Sequence, residues 1–455
     1  MKQLRLFLLL AAGLFLASCS EPQPDEFPNP DPHPTVGRHA VPIDRALGEL
    51  DDLLGVIDGQ GTRAGGVRTV AQVQTLHAEA LPLTRSAGEP GEQPGDLLYV
   101  VNFEDEAGYA VLGADDRLPA VLVVADEGSL TTDELVRAAN GQTAPEEFTF
   151  PNEMLMDYVS GIGGIGGGGI GGGGIGGGGG IPTGPITDFD GQLGNPPAGF
   201  EGYEWSDWKK LEYVAPLVTT RWHQREPFNW QCPIVGNKLC VAGCAAIAMA
   251  QIVASNHLHH NVSPGSIGRI SLDWAAIHKA ILNPSSLGNN YIANQVALLV
   301  AALGLELGMN YGIENSGANI YDAEDCFKSL GYKGVNKHTF RQSYVRTMLW
   351  ERKRPCYVRA VNAQQQGHAW LADGWLWRRR DQYAIISGKR SDYSVSYQTQ
   401  TLMHCNYGWA GRCDGFYHIG LFNTNQQAVI PDSEYDPVED DYNGGKKMIT
   451  YTEMY

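Results

Sequence analysis

The fold of this 455-residue chain depends on one stretch, Gly243-Cys244-Ala245-Ala246-Ile247-Ala248-Met249-Ala250-Gln251-Ile252-Val253. Alanine and methionine are strong helix formers, and after Gly243 no glycine or proline interrupts the run. The stretch is apolar on nearly every side, which predicts a buried helix. Cys244 would lie in its first turn, where the helix dipole and unpaired backbone N–H groups favour the thiolate. This stretch alone is equally compatible with a small buried cysteine that packs like alanine.

Length and charge limit the possible classes of protein. A chain of 455 residues is long enough for two or three domains, and a hydrophobic content of 43% is ordinary for a globular protein. The formal net charge of −18 argues against a nucleic-acid partner, because such a partner requires a basic patch.

The N-terminus predicts export. A positive start with Lys2 and Arg5 precedes an apolar run and the sequence Leu16-Ala17-Ser18-Cys19, which is similar to a bacterial lipoprotein signal peptide over residues 1–19. In that interpretation Cys19 is lipidated, residues 20–40 form a disordered tether, and the protein is a cell-envelope lipoprotein (outer membrane or surface) or is secreted after maturation. The alternative is an ordinary secretory signal with a chance cysteine.

The chain has eight cysteines. If Cys19 carries lipid, seven remain, and an odd number in an exported chain leaves at least one thiol without an intramolecular partner. Cys240 and Cys244 are four residues apart, but no second close pair at zinc spacing follows, so we expect no metal site. The disulfide pairing stays open.

Residues 41–158 predict a small α+β module. Apolar residues from Ile43 to Ile57 recur at helical spacing, and Val67 to Leu81 is another short amphipathic segment. Strand-like runs with turns between them follow at Asp96–Phe103, Tyr109–Gly113 and Ala120–Ala125. Residues 159–203 then form a glycine-rich linker, because a nearly pure glycine run cannot pack a core.

The larger domain spans residues 204–455. Its first half predicts helices at Cys244–Ser255, Trp274–Leu282 and Ile292–Leu303. Its second half predicts strands at Pro355–Ala360, Ala369–Asp373, Gln382–Ile386 and Leu402–Tyr407. A helical part followed by an antiparallel sheet is an α+β domain.

A nucleophilic cysteine needs a histidine partner. His368 lies in Gly367-His368-Ala369-Trp370-Leu371-Ala372-Asp373-Gly374, where it would open a strand that ends in a turn, and it follows Cys244 in the order of papain-like enzymes. We interpret His404 and His418 as structural. We interpret the histidines at 257, 259 and 260 as the polar end of the helix rather than as a cluster of metal ligands.

Three further residues fit around this pair. The Asn406 carbonyl could accept a hydrogen bond from an imidazole N–H, and Trp409 could shield that bond from water. Gln224 could donate to the oxyanion that develops in acyl transfer, together with the Cys244 backbone N–H. Taken alone, Asn406 and Trp409 are better explained by a tight turn with aromatic packing, and the alternative for Gln224 is a solvated loop residue.

Together these pieces resemble the streptopain family of papain-like cysteine peptidases over about residues 205–430. Four motifs occur in that family's order: Trp-x-Gln-x-x-Pro-aromatic-Asn, Gly-Cys-x-Ala-x-Ala-x-Ala-Gln-Ile, Gly-His-Ala with Asp-Gly following, and Asn-aromatic-Gly-Trp-x-Gly. The resemblance implies Cys244 as nucleophile, His368 as base and Gln224 as oxyanion donor, with Asn406 and Trp409 orienting and covering the histidine.

The same resemblance implies a substrate cleft. The loop Tyr311–Ala318 is similar to the family's cleft loop, so Ser316, Gly317 and Gly367 are candidate contacts to the substrate backbone. An ordinary glycine-containing turn is the alternative. Two positions depart from the family, which usually has Trp at 407 and Gly at 410, where this chain has Tyr407 and Ala410.

The N-terminal module is similar to the prosegment of the same family, through Tyr99–Phe103 and Gly113–Pro119. That resemblance implies an intramolecular inhibitor that keeps the enzyme latent until the linker is cut. A folding aid without an inhibitory role is the alternative.

The sequence therefore predicts a cysteine-type endopeptidase that acts on protein or peptide substrates and needs no cofactor. A catalytically silent peptidase-fold protein that binds or inhibits is one alternative. A Cys-His acyl transferase, such as a transglutaminase-like enzyme or an amidase, is another.

Overall fold

The computed structural model describes residues 39–60, 68–81, 95–142, 149–163, 199–260, 267–361, 367–422 and 446–454. The predicted signal peptide with Cys19, nearly all of the predicted tether and most of the predicted linker lie outside these residues, and those predictions stand as such. In the part of the chain that is described, no helix is both long and apolar enough to cross a membrane.

Eight α-helices occur among the described residues. The first three, α1–α3, belong to the N-terminal module, and α4–α7 form the helical part of the larger domain. Their bounds are Ile43–Ile57 (α1), Thr132–Ala139 (α2), Thr149–Gly163 (α3), Cys244–His260 (α4), Trp274–Leu282 (α5), Asn290–Glu306 (α6), Ile320–Ser329 (α7) and Gln342–Arg346 (α8).

Strands alternate with these helices in both halves of the chain. Their bounds are Val70–His77 (β1), Asp96–Phe103 (β2), Tyr109–Gly113 (β3), Val121–Ala125 (β4), Phe200–Trp205 (β5), Lys209–Val214 (β6), Ile234–Val235 (β7), Lys238–Leu239 (β8), Tyr332–Lys333 (β9), Asn336–Thr339 (β10), Cys356–Val361 (β11), Gly367–Ile386 (β12), Lys389–Arg390 (β13), Ser396–Asn406 (β14), Gly415–His418 (β15), Lys447–Thr450 (β16) and Glu453–Met454 (β17). The predicted α+β class is confirmed.

One antiparallel sheet of 13 strands runs through both halves, in the order β1-β2-β3-β4-β15-β14-β12-β11-β16-β10, with β5, β6 and β13 also paired to β12. The N-terminal module joins this sheet where β4 pairs with β15, Val124 lying opposite Phe416. Gly415 permits the approach, because a Cβ at that position would lie 2.4 Å from the Val124 carbonyl oxygen. The sequence predicted a meander here, but not that it continues the sheet of the larger domain.

The buried helix predicted from the opening stretch is α4, with 13 buried residues from Ala245 to His257. It packs on β12 and α6 and continues five residues beyond the predicted end at Ser255. His257 stacks on Trp274, at 3.9 Å between ring centroids, and its Nδ1 lies 2.7 Å from Nε2 of His278. These contacts pack the helix end against aromatic side chains of α5, which its sequence did not suggest.

Other boundaries also differ from those predicted. The strand that begins at Gly367 does not end in a turn at Gly374, but continues as β12 to Ile386. The glycine instead marks an irregularity in the β12–β14 register, where a Cβ would lie 2.6 Å from the Cβ of His404. The helix α3 crosses the predicted boundary at 158, and β5 begins before the predicted start of the larger domain at 204.

Candidate active site

Cys244 is the first residue of α4 and is partly exposed. The residue before it must be glycine, because Gly243 has φ +86° and a Cβ there would lie 3.0 Å from the Ser316 carbonyl oxygen. The Gly243 carbonyl accepts the first helical hydrogen bond, from the Ile247 N–H at 3.2 Å. The chain therefore turns sharply into the helix and presents the thiol at its N-terminus, as predicted.

The thiol faces an open pocket of about 250 Å³. The three predicted substrate contacts all line it: Ser316, Gly317 and Gly367. The hydroxyl of Ser316 is buried and bonded within its own loop, donating to the Val241 carbonyl at 2.7 Å and accepting from the Gly312 N–H at 3.0 Å. Ser316 can thus meet a substrate only through its backbone, whereas Gly317 and Gly367 present bare main chain.

His368 is the second residue of β12 and is buried. Its Nε2 lies 3.1 Å from the Tyr407 carbonyl oxygen, and its ring lies 4.4 Å from that of Trp409. From the other side Phe150 of α3 packs against it, at 5.8 Å between ring centroids. No hydrogen bond joins the side chains of His368 and Cys244, and His368 is not among the described residues that line the pocket of the thiol. The two groups of the predicted dyad are therefore not paired directly in this form.

Burial controls the ionisation of both groups. It raises the pKa of the Cys244 thiol, although the Ala369 N–H and the Arg359 charge partly oppose that rise. It lowers the pKa of His368 to about 4, partly opposed by the bond to Tyr407. The expectation that the helix N-terminus would favour the thiolate is therefore not met in this form, because desolvation outweighs the dipole. Near neutral pH both groups are uncharged.

Asn406 lies one residue before Tyr407 but is not bonded to the imidazole. Its amide donates to the Thr220 carbonyl at 2.9 Å, and its carbonyl accepts from Gln251 Nε2 and from the Gly408 N–H, both at 3.1 Å. This network ties the strand end to α4. In this form the predicted covering residue, Trp409, contacts the histidine, whereas the predicted orienting residue does not.

Gln224 is buried in the loop before β7. Its backbone carbonyl accepts from the Ala242 N–H at 2.8 Å, which fixes the residue beside the chain that leads into Cys244. Its side-chain amide makes no hydrogen bond with any described residue. Such an unengaged donor next to the nucleophile is what an oxyanion contact requires.

One group of described residues brings three potential metal ligands together, and it lies in the N-terminal module. Ligand atoms of His39, Asp115 and Asp116 are within 4.8 Å of one another. Asp115 also pairs with Arg117, at 2.5 Å, which supplies a countercharge without a metal. The cluster is remote in the sequence from every predicted catalytic residue.

Three features of the site were not predicted from the sequence. Phe150 gave no signal, because an apolar residue in a helix normally predicts only core packing. Arg359 is the one charged residue in an otherwise apolar strand sequence, and that charge could have marked it as a functional residue. His404 was interpreted as structural, but the sequence did not show that it lies between Asp373, at 2.6 Å, and Asp126 of the N-terminal module, at 3.1 Å.

A thiol at a helix N-terminus lines an open pocket together with Gly367 and Ala369, the two neighbours of a histidine. This arrangement is compatible with a cysteine hydrolase site. Residues 222–417 match the model of the Peptidase C10 family. The match confirms the predicted family resemblance and the predicted class, a cysteine-type endopeptidase.

Solved structures similar to this chain include two from Prevotella intermedia. A fragment of prointerpain A is 19% identical, with a TM-score of 0.44, covering 83% of this chain and 98% of its own. The active interpain A cysteine protease is 22% identical, with a TM-score of 0.35, covering 53% of this chain and 95% of its own. A search of curated proteins finds no match.

Proposed function

We propose that this chain is the latent precursor of an exported cysteine endopeptidase that hydrolyses protein or peptide substrates. The observation that carries the proposal is the position of Cys244, at the N-terminus of α4 in a pocket with Gly317 and Gly367, within a Peptidase C10 domain. A peptide laid across these glycines can bring its carbonyl carbon close to the thiol, because neither glycine has a side chain that would block the approach.

The chemistry requires His368 to leave its present contacts. Once the imidazole faces Cys244, it takes the thiol proton, and the thiolate attacks the peptide carbonyl to form a tetrahedral oxyanion. The Gln224 amide and the Cys244 N–H stabilise that oxygen. The imidazolium then protonates the leaving amine, and water hydrolyses the thioester. Asn406 is the proposed acceptor for the second ring N–H, and Trp409 excludes water from that bond.

The N-terminal module is the proposed inhibitor. Its Phe150 packs on His368, at 5.8 Å, and on Trp370, at 5.7 Å, which favours the imidazole position bonded to Tyr407. The pairing of β4 with β15 adds main-chain hydrogen bonds to the same docked state. Cutting the linker would let the module dissociate and release the histidine.

Casein and a quenched peptide test the proposed activity. We expect matured wild-type protein to cleave both, and Cys244→Ala to lose activity by about 10⁵-fold or more. A Ser255→Ala variant, changed on the same helix away from the thiol, is the matched control. Undiminished cleavage by Cys244→Ala would refute the assignment. An intact but inactive wild type would favour the silent binding protein, and incorporation of a primary amine in place of hydrolysis would favour an acyl transferase.

We further propose that Cys19 is lipidated and anchors the precursor to the cell envelope. The support is the sequence alone: a positive start, a short apolar run and Leu16-Ala17-Ser18-Cys19. Radiolabelled palmitate should enter the wild-type chain and not a Cys19→Ser variant. Equal incorporation into both would refute the anchor and leave the peptidase assignment intact.

A further inference from the structure

The pocket in front of Cys244 contains one charged side chain. Nine residues line it: Cys244, Asn310, Asn315, Ser316, Gly317, Ala318, Arg359, Gly367 and Ala369. Of these only Arg359 carries a formal charge. We propose that Arg359 makes this peptidase selective for substrates with a carboxylate side chain, Asp or Glu, close to the scissile bond. The inference rests on the proposed peptidase function and names its substrate class.

The position of the guanidinium supports this role. Arg359 lies on β11 directly opposite Ala369 of β12, the residue that follows His368. Its guanidinium lies over Gly367, where a Cβ would be 2.7 Å from Nη2 and 3.2 Å from Cζ. The absence of a side chain at Gly367 therefore makes room for the arginine head at the exposed wall of the cleft.

The guanidinium has no carboxylate partner in the part of the chain that the structure describes. Among the described residues Arg359 forms no ion pair and no hydrogen bond. Its neighbour on the other side, across β11 and β16, is Lys447, a second cation. Like charges on directly opposite residues destabilise a sheet, so Lys447 offers the guanidinium no favourable partner. An unpaired guanidinium with five donors beside a nucleophile is suited to a carboxylate that arrives with the substrate.

The charge also acts on the reacting group. Arg359 is among the groups that oppose the rise in the pKa of Cys244. Removing the arginine could therefore slow cleavage of every substrate without any role in selection. A ratio of rates for two substrates cancels that common effect, so selectivity has to be measured as a ratio.

The test uses the full-length chain, matured by linker cleavage, and pairs of quenched peptides that differ only by Glu or Gln at one position within three residues of the scissile bond. At one position we expect wild type to prefer Glu by roughly 10- to 100-fold in kcat/KM, the range for a hydrogen-bonded charge pair. Arg359→Gln should bring the ratio close to one, Arg359→Lys should keep most of it, and Arg359→Glu should favour a Lys peptide.

A second arm distinguishes the source of the carboxylate. Peptides with a free acid or an amide at a C-terminus near the scissile bond show whether the arginine instead reads a chain terminus. A preference for the free acid would replace the side-chain assignment. Equal cleavage of Glu and Gln peptides at every position, or a preference that survives Arg359→Gln, would overturn the inference. Inactivity toward every peptide would count instead against the proposed function.

Discussion

The two sides of the active site are in different states. On the cysteine side, Cys244 is the first residue of a helix and lines an accessible pocket. None of the described residues of the N-terminal module lines that pocket. On the histidine side, His368 is buried under Phe150 and bonded to the Tyr407 carbonyl. In the proposed mechanism the substrate cleft is thus open, whereas the proposed base is held in other contacts.

If the proposed inhibition is correct, the N-terminal module keeps the peptidase latent without filling its cleft. A thiol with a raised pKa is a poor nucleophile, and a histidine with a pKa of about 4 is a poor partner for it. Holding the imidazole away therefore disables both groups at once. The cost is a docked state that must be dismantled before the enzyme can act.

The largest effect should come from removing the aromatic contact. Phe150→Ala in the uncut chain should lower the free energy of unfolding by about 3–5 kcal/mol, because a buried phenylalanine is lost. It should also give the uncut chain measurable peptidase activity. Urea unfolding and a quenched peptide measure the two effects. Phe200→Ala is the control, since Phe200 pairs with the far end of β12, at Ile386. Loss of stability with unchanged latency would show that Phe150 is merely structural.

On the cysteine side, Gln224→Ala should lower the kcat of the matured enzyme by about 10²- to 10³-fold, as loss of an oxyanion donor does. Its KM should change little, because the contact forms in the transition state. Gln231→Ala in the same loop is the control, because the Gln231 side-chain amide already donates a hydrogen bond to Asn294 Oδ1 at 2.6 Å. Equal effects of the two substitutions would contradict the oxyanion assignment.

The buried His404 should make docking depend on pH. Burial alone would lower its pKa, but the Asp373 and Asp126 carboxylates outweigh burial and raise it to about 10. The stability from this raised pKa is fully present below about pH 6.5, the ordinary value, and is lost as pH rises through 10.

Asp126→Asn should therefore destabilise the uncut chain by about 3 kcal/mol at pH 6, and by less at pH 10. Urea unfolding at both pH values measures this difference. Asp96→Asn is the matched control, because Asp96 forms an exposed pair with His77 at 2.7 Å, and it should cost under about 1 kcal/mol. A pH-independent effect of Asp126→Asn would contradict the assignment.

The smallest effect concerns a departure from the family pattern. Ala410, next to Trp409, has φ +63°, a conformation that glycine adopts without strain. Ala410→Gly should raise the free energy of unfolding by about 1 kcal/mol or less and leave the cysteine side unchanged. Thermal unfolding of the matured enzyme measures it. A loss of stability would show that packing of the alanine methyl group stabilises the protein by more than the backbone strain destabilises it.

Local patterns were sufficient to name candidate site residues, because the motifs around Cys244, His368 and Asn406 are short and contiguous. They could not predict the state of the site. The Phe150–His368 contact and the β4–β15 pairing join residues far apart in the sequence, and periodicity carries no information on such pairs. For the same reason the role of Arg359 was not predicted. Its strand was predicted correctly, but the position of its guanidinium over Gly367 depends on the pairing of two strands.

The proposal that His368 is kept from Cys244 in the uncut chain can be tested through the reactivity of the Cys244 thiol. Iodoacetamide alkylation is followed by mass spectrometry of the Cys244 peptide across pH 5–10, in the uncut chain and after maturation. The uncut chain should react only as pH approaches the raised pKa of the thiol. The matured enzyme should already react near pH 6, because an imidazolium partner stabilises the thiolate. Identical profiles with fast reaction at low pH in both forms would contradict the account.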